Sequence, residues 1–282
     1  MAKRRLDSYL VEAGLAESRQ KAQALILAGQ VLVNDRPANK PSQPVPPEAV
    51  VRLRGETLRY VGRGGVKLEA ALQTFAVDVR DAVCLDVGAS TGGFTDCLLQ
   101  HGARRVYAVD VGHNQLAWKL RCDPRVIVHE RVNARHLTPE MFPEQFAVAT
   151  VDVSFISLEL ILPALHPLLL PEAALILLVK PQFEVGRNEV GKGGIVRDPQ
   201  LQAKAVARII IAARRNNFHP LRLTASPILG AAGNREFLLL AQPARPASAT
   251  DALPADALSA DWSRLFPEQN LESLWFGHAN VG

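Results

Sequence analysis

The chain has 282 residues, 48% hydrophobic and 21% charged, with a formal net charge of +4. That length and apolar content suit one ordinary α/β domain plus a small accessory module, and they exclude wholesale disorder. Cys84, Cys97 and Cys122 form no CxxC pair, so neither a zinc ribbon nor a disulfide scaffold fits, and a cytoplasmic setting is expected.

The basic start MAKRRLDSYL has no apolar run behind it and does not read as a secretory signal. Residues 1–67 hold twelve Lys or Arg against six Asp or Glu, so the rest of the chain nets about −2. A basic front end on a nearly neutral body suits a polyanion partner, although an excess of charge alone also fits a solvated surface. Leu6, Tyr9, Leu10 and Val11 give a first helix an apolar stripe, ended by Gly14. Ser18 can cap a second helix with Ala22, Leu25 and Ile26 on its apolar face, and Gly29 stops it. VLVN then reads as a strand, NDRP as a turn and AVVRL as a closing strand. Residues 4–54 resemble the small αL RNA-binding domain of a small-subunit ribosomal protein, pseudouridine synthases and tyrosyl-tRNA synthetases, above all in SRQKAQALILAGQVLVND. The resemblance implies that Arg4, Arg5, Arg19, Lys21, Arg36 and Lys40 face RNA phosphates, contacts that position a protein without reading sequence.

From residue 67 the rhythm alternates. KLEAALQTF reads as a helix, AVCLDVG as a strand, GGFTDCLLQHG as a helix and RVYAVDVG as a strand. FAVATVDVS and AALILLVK are further strands, so a parallel sheet covered on both faces is expected. Residues 160–179, LILPALHPLLLPEAALILLV, approach a membrane span in length, but three prolines and Glu172 divide them into a helix, a turn and a buried strand. Ligands of such sheets bind beyond the carboxyl ends of the strands. There DVGASTGGFTD places Gly88, Gly92 and Gly93 in a turn that a ligand can approach closely. Asp110 ends the next strand, where an acid can accept ribose hydroxyls. The layout suits a nucleoside-bearing cofactor, and the absence of GxxxxGK[ST] disfavours a phosphate-transfer NTPase.

The third strand end, VDVSFISL, carries Asp152. It lacks the Asn/Asp-Pro-Pro-aromatic run of N6-amine methyltransferases, and Cys84 and Cys97 fall in a strand and a helix, not where a nucleophile is needed. The next strand closes on Lys180 in LLVKPQFE, which fits either a reactive group or a charge at a strand end. In order, GRGGVKL, LDVGASTGGFTD, VDVSFISL, VKPQFE, GKGGIVRD and SPILGAAGNREFLL resemble the TlyA ("haemolysin A") family of ribosomal RNA 2′-O-ribose methyltransferases, over residues 3 to about 240. The resemblance implies a Rossmann-like methyltransferase domain that uses S-adenosylmethionine, behind a small α+β RNA-binding domain. It also implies a Lys-Asp-Lys-Glu tetrad at Lys67, Asp152, Lys180 and Glu236.

A ribose 2′-hydroxyl is a poor nucleophile and needs a base as it attacks a sulfonium methyl. A neighbouring cation and partial desolvation make lysine a better base. Lys180 is therefore assigned as the base and Lys67 as the cation beside it, with Asp152 and Glu236 orienting the lysines. Asp86, Gly88, Ser90 and Gly92 are expected around the methionine end of the cofactor, with Asp152 near it. Asp110 is expected on the ribose, and Val111 and Asn133 at the adenine. No metal is expected, since no His/Cys cluster has ligand spacing. Residues 184–198 read as a mobile, glycine-rich lid over RNA.

The implied domains are 1–57, a linker at 58–64 holding Tyr60 and Arg63, a methyltransferase domain at 65–242 and a tail at 243–282. Arg63 is counted with the RNA contacts. The tail, Ala- and Pro-rich and then carrying Trp262, Phe266, Trp275 and Phe276, could dock back as a short helix or contact a partner. The partner expected is ribosomal RNA or a ribosomal subunit, not a membrane, with the chain acting as a monomer. A catalytically silent assembly factor and a membrane-active haemolysin are the alternatives.

Overall fold

The structure, a computed structural model, describes residues 4–16, 18–46, 49–54, 59–244 and 256–269. The chain divides into two compact units, Met1–Arg59 and Tyr60–Gly282. Residues 55–58, at the end of the expected first domain and the start of its linker, lie outside the described residues, as do 245–255 and 270–282 of the tail with Trp275 and Phe276.

In the first unit, β1 (Arg4–Arg5) leads into α1 (Leu6–Glu12), followed by α2 (Arg19–Leu27), β2 (Val31–Val33), β3 (Arg36–Pro37), β4 (Pro44–Val45) and β5 (Val51–Leu53). Ser18 Oγ accepts the amide of Lys21 at 3.2 Å and so caps α2, as its position before the apolar run predicts. Asn34 and Asp35 are both left-handed, with φ of 51° and 64°, and turn β2 into β3. Leu6, Leu10, Ala22, Ile26 and Val31 form the core. Val11, expected on the apolar stripe, points outward, because the buried face of α1 is set by the four-residue step from Leu6 to Leu10.

One carboxylate in this unit is fully buried. Asp7 accepts Arg5 Nε at 3.0 Å and Nη2 at 2.9 Å, Arg19 Nε at 3.0 Å and Gln23 Nε2 at 3.0 Å. The Arg5 guanidinium, with Gln23 and Arg19 beside it, holds the Asp7 carboxyl well below the usual range.

The second unit opens on α3 (Gly64–Phe75), then β6 (Val83–Val87), α4 (Gly93–Gln100), β7 (Arg105–Asp110), α5 (Trp118–Arg121), β8 (Val126–Glu130) and β9 (Phe146–Val151). It continues with α6 (Leu162–Leu165), β10 (Leu169–Val179), α7 (Pro181–Glu184), α8 (Pro199–Arg215), β11 (Phe218–Ala225), β12 (Phe237–Pro243) and α9 (Asp256–Leu265). The strands build one sheet in the order β11-β12-β10-β9-β6-β7-β8. It is mixed, not wholly parallel as expected: β12 runs antiparallel to both β10 and β11. A short return from β11 leaves β12 no crossover, so it must run the other way.

Alternation along β10 shows how both faces are buried. Leu175, Leu177 and Val179 enter one core with α8 and α9, while Ile176 and Leu178 enter the other with α3 and α4. The segment before it contains only one turn of α-helix, α6, and β10 begins earlier than expected, at Leu169. Pro171 falls where its pairing to β9 shifts register between Leu169 and Ala174, a place that tolerates a missing amide. Among the described residues, no helix is long and apolar enough to cross a membrane. Tyr60, expected in a linker, is buried in the second unit, and a Cβ at Gly65 would strike its ring.

The described part of the tail docks as α9. Asp261 accepts Arg222 Nε at 2.7 Å and the amide of Leu223 at 3.0 Å, while Trp262 and Phe266 enter the core beside Phe237. Trp262→Ala is expected to cost about 3–5 kcal/mol in urea unfolding of the full chain. A loss below about 1 kcal/mol would mean that α9 does not stay docked.

Asp86 titrates inside the protein. Its carboxylate is wholly buried and accepts Thr95 Oγ1 at 2.6 Å and Thr150 Oγ1 at 3.1 Å. Burial pushes its pKa up to about 7. A raised carboxyl pKa contributes stability that is complete below about pH 4 and is lost as pH rises to about 7, by at most about 4 kcal/mol. Asp86→Asn is therefore expected to gain on the wild type between pH 5 and pH 8 in urea midpoints, and a pH-independent difference would contradict it.

Candidate active site

The carboxyl ends of β6, β7 and β9 diverge around a cleft of about 490 Å³. Its shape depends on Gly88. That residue has φ +85°, and a Cβ there would collide with the carbonyl oxygen of Asp152 and lie 2.8 Å from its carbon. The Gly88 and Ala89 amides both donate to Val109 O, at 2.8 and 3.1 Å, which turns the chain back over the end of β7. Of the residues expected around a cofactor, Gly88, Ser90, Asp110, Val111, Asn133 and Asp152 line the cleft.

Two expected cofactor contacts do not. The Asp86 carboxylate points into the protein interior, where the two threonine hydroxyls take it up. Gly92, with φ +97°, begins α4, and a Cβ on it would strike Leu120 and come 2.8 Å from Leu116, so its small size serves packing. Asp110 is fixed by its own turn, accepting Ser90 N at 2.7 Å and Gly112 N at 2.6 Å. Each of its oxygens keeps a second lone-pair direction for a hydroxyl. Val132 and Ile161 join Val111 in giving the cleft an apolar wall. An acid, backbone turns and an apolar wall are the donor set that a ribose and a flat heterocycle need, so these residues fit a nucleoside cofactor.

An adjoining cleft of about 210 Å³ shares Gly88, Ser90, Asp152 and Ser154 with the first and adds Arg63, Gly64 and Lys180. Lys180 is almost buried, since β10 ends at Val179 and Pro181 starts α7 immediately after it. Its Nζ lies 2.6 Å from Asp152 Oδ1, an ion contact without hydrogen-bond alignment, and donates to Ser154 Oγ at 3.1 Å. Lys67, on α3, donates to Glu236 Oε2 at 2.5 Å, and both side chains are buried. Each lysine therefore has its own acid. Lys67, expected as the cation beside Lys180, and its partner Glu236 do not line the cleft that holds Lys180. The pairs are linked through α3, where a Cβ on Gly64 would come 3.8 Å from Asp152 Oδ2.

The first unit offers the expected RNA cations unevenly. Lys21, Arg36 and Lys40 are exposed, and Arg4 pairs with Glu12 at 3.1 Å on the surface. Arg5 and Arg19 are held by the buried Asp7 carboxylate. The glycine-rich segment expected to be a mobile lid is fastened at its end. Asn234 accepts Val196 N at 2.9 Å and donates to Gly194 O at 2.8 Å.

Sequence reading missed Ser154 as the partner of Lys180, and the apolar wall at Val132 and Ile161. It also missed a pair of rings, Phe155 and Phe183, 5.2 Å apart beside the lysine. Ser154 and Phe155 stand inside VDVSFISL and Phe183 inside VKPQFE, so proximity to Asp152 and Lys180 was the available signal.

Gly88→Ala is expected to weaken S-adenosylhomocysteine binding in calorimetry by at least about tenfold, because the left-handed turn and the Asp152 carbonyl both resist a Cβ. Unchanged affinity would show that the cleft does not depend on this approach.

Residues 60–242 match the FtsJ-like methyltransferase family, and residues 4–51 match the S4 domain. Over 238 residues the chain is 53% identical to YqxC of Bacillus subtilis, covering 84% of this chain and 85% of that protein. Over 241 residues it is 48% identical to the 16S/23S rRNA (cytidine-2'-O)-methyltransferase TlyA of Mycobacterium tuberculosis, covering 85% and 90%. A solved structure from Streptococcus thermophilus is 40% identical and superimposes with a TM-score of 0.72 over 99% of both chains. With its S4 domain ahead of an FtsJ-like methyltransferase domain, the chain belongs to the TlyA, or haemolysin A, family of rRNA methyltransferases.

Proposed function

We propose that this chain transfers a methyl group from S-adenosylmethionine to the 2′-hydroxyl of a cytidine in ribosomal RNA. The observation that carries the reading is Lys180, almost buried and ion-paired to Asp152, in a cleft that shares its wall with the nucleoside cleft. A nearly buried lysine at that junction suits an alcohol acceptor, which must lose a proton as it attacks.

The cofactor supplies the electrophilic methyl on a sulfonium. Asp110 holds its ribose, Val111 and the Asn133 turn flank its base, and Gly88 and Ser90 receive its amino-acid end. Lys180, having first released its own proton to solvent, takes on Nζ the proton that the 2′-oxygen loses as that oxygen bonds the methyl, the pair of the broken sulfur–methyl bond staying on sulfur. Asp152 and Ser154 hold that nitrogen in one position, and Asp152 stabilises the ammonium formed. Lys67, held by Glu236 outside that cleft, adds positive charge to the field at the site. The remainder of the rate comes from an in-line approach in a partly desolvated site. The S4-domain cations Lys21, Arg36 and Lys40, with Arg4, Arg5 and Arg19, contact the RNA backbone, and Arg63 of the second unit makes a phosphate contact of its own.

Labelled S-adenosylmethionine with each ribosomal subunit, from cells lacking the modification, tests this reading. The wild type is expected to place label on a cytidine ribose, protecting the adjoining phosphodiester from alkali. Lys180→Ala is expected to lose a factor of about 10²–10⁴ in rate while still binding S-adenosylhomocysteine. Lys180→Arg is expected not to recover it, because a guanidinium cannot accept the proton. Label on a base, or full activity in Lys180→Ala, would sink the mechanism.

A further inference from the structure

The chemistry just assigned does not use Glu184, although this side chain is only 2% exposed. A buried carboxylate is expensive, and burial pushes the Glu184 carboxyl up from its ordinary value. An apolar side chain of similar size would fill the same space at lower cost. What the acid provides is a connection. Glu184 lies one helical turn after Lys180, on α7, and its two oxygens reach across to the loop that follows Asp152. Oε2 accepts Ser157 Oγ at 2.6 Å, and Oε1 accepts the amide of Leu158 at 3.0 Å.

The same two loops meet twice more. The Phe155 and Phe183 rings lie 5.2 Å apart. Arg208, on α8, donates through Nη1 to the Glu184 carbonyl at 2.9 Å, and through Nε and Nη2 to Glu159 Oε2 at 3.0 and 2.6 Å. Between Asp152 and Ser157, Val153 and Ile156 pack against the core while Ser154 and Phe155 face outward. Phe155 is 92% exposed and left-handed, with φ +64°, a conformation costly for a bulky side chain. Ser154, Phe155 and Ile156 nevertheless form part of the cofactor cleft, and Ser154 holds Lys180. A strained loop that must present three site groups needs an anchor just beyond it, and Ser157 and Leu158 are that anchor.

We infer that Glu184 is a positioning residue, whose carboxylate clasps Ser157 and Leu158 and thereby holds the Asp152–Ile156 loop in register with Lys180. This deepens the methyltransferase reading proposed above and rests on it for the chemistry. The clasp sets two things together: the wall that the cofactor meets and the distance from Lys180 to Asp152 and Ser154. Arg208 braces the pair from outside without touching either site loop's reactive group.

Full-length wild type, Glu184→Ala, Glu184→Gln and Ser157→Ala would be compared by S-adenosylhomocysteine calorimetry, amide hydrogen exchange over residues 153–160, thermal midpoint, and methyl transfer at saturating cofactor. Glu184→Ala is expected to lose roughly tenfold to hundredfold in kcat, as a site shifted by a fraction of an ångström does. Its cofactor affinity should fall as well, and its exchange at 153–158 should rise. Glutamine can accept the Leu158 amide on its carbonyl oxygen and donate to Ser157, so Glu184→Gln should recover kcat to within about fivefold. Ser157→Ala should show a smaller loss of the same kind. Unchanged kcat and exchange in Glu184→Ala, with only a lower thermal midpoint, would make Glu184 a packing residue and overturn the inference. Failure of Glu184→Gln to restore any of the three readings would also overturn it, because the charge and not the clasp would then matter. Should Glu184→Ala not fold, Glu184→Gln and Ser157→Ala decide by the same criteria. If the wild type methylates no RNA, the methyltransferase reading fails, while affinity and exchange still decide the clasp.

Discussion

The site exists because two strand ends come closer than side chains allow. After β6, Gly88 passes directly over the Asp152 carbonyl at the end of β9, in a left-handed conformation with no room for a Cβ. That approach closes the floor of the cofactor cleft. It also sets Asp152 so that its carboxylate reaches Lys180 at the end of β10, the next strand in the sheet. The amide of Asp152 donates to Val87 O at 2.9 Å, so the ladder holds up to the residue before the glycine and then opens. Each group beyond it takes its place from this divergence, at the edge where ligands of α/β sheets enter.

Much of this was legible in the chain. A strand that ends apolar-apolar-apolar-lysine places the lysine at the sheet's carboxyl edge, whatever the tertiary details, and the same holds for Asp110 and Asp152. Asp86 shows where that reasoning stops. It is also an acid near a strand end, but it stands one residue inside the last strand position, so its side chain enters a layer between helix and sheet. Local pattern cannot separate these cases, because the difference of one pleat reverses the side. Strand direction was equally hidden. FLLLAQ reads the same in either sense, and only the hairpin connection from β11 makes β12 antiparallel. The docking of α9 was one of two readings left open, because an Ala- and Pro-rich stretch reads as a linker whatever follows it. Glu184 escapes sequence reading because it opens the stretch that reads as a glycine-rich lid, where an acid looks like an ordinary surface charge.

Within the first unit, a single carboxylate organises the cations. Asp7 takes two arginines and a glutamine from α2 and the chain before α1. Two guanidinium groups are thereby held in one orientation, at a lower conformational-entropy cost for any contact they make. The second unit uses buried acids in the same way, Glu236 and Glu184 giving Lys67 and Ser157 fixed directions. Burial and pairing act in opposite senses on such groups. Asp7, with two cations, is pulled down, and Asp86 and Glu184, with only neutral donors bound to their oxygens, are pushed up.

The insertion of β12 between β10 and β11 bears on how the protein is made. Glu236 stands immediately before that strand, 169 residues after the lysine it holds. In a growing chain, Lys67 and Lys180 are therefore made before the acid that pairs with Lys67. Long-range closures of this kind form late, since the loop entropy must be overcome before the contact stabilises anything. The hairpin has to slide an antiparallel strand beside β10, and until it does, one edge of that hydrophobic strand is open. Lys67 and Glu236 are thus brought together by the same event that completes the sheet, a late step for a contact so distant in sequence.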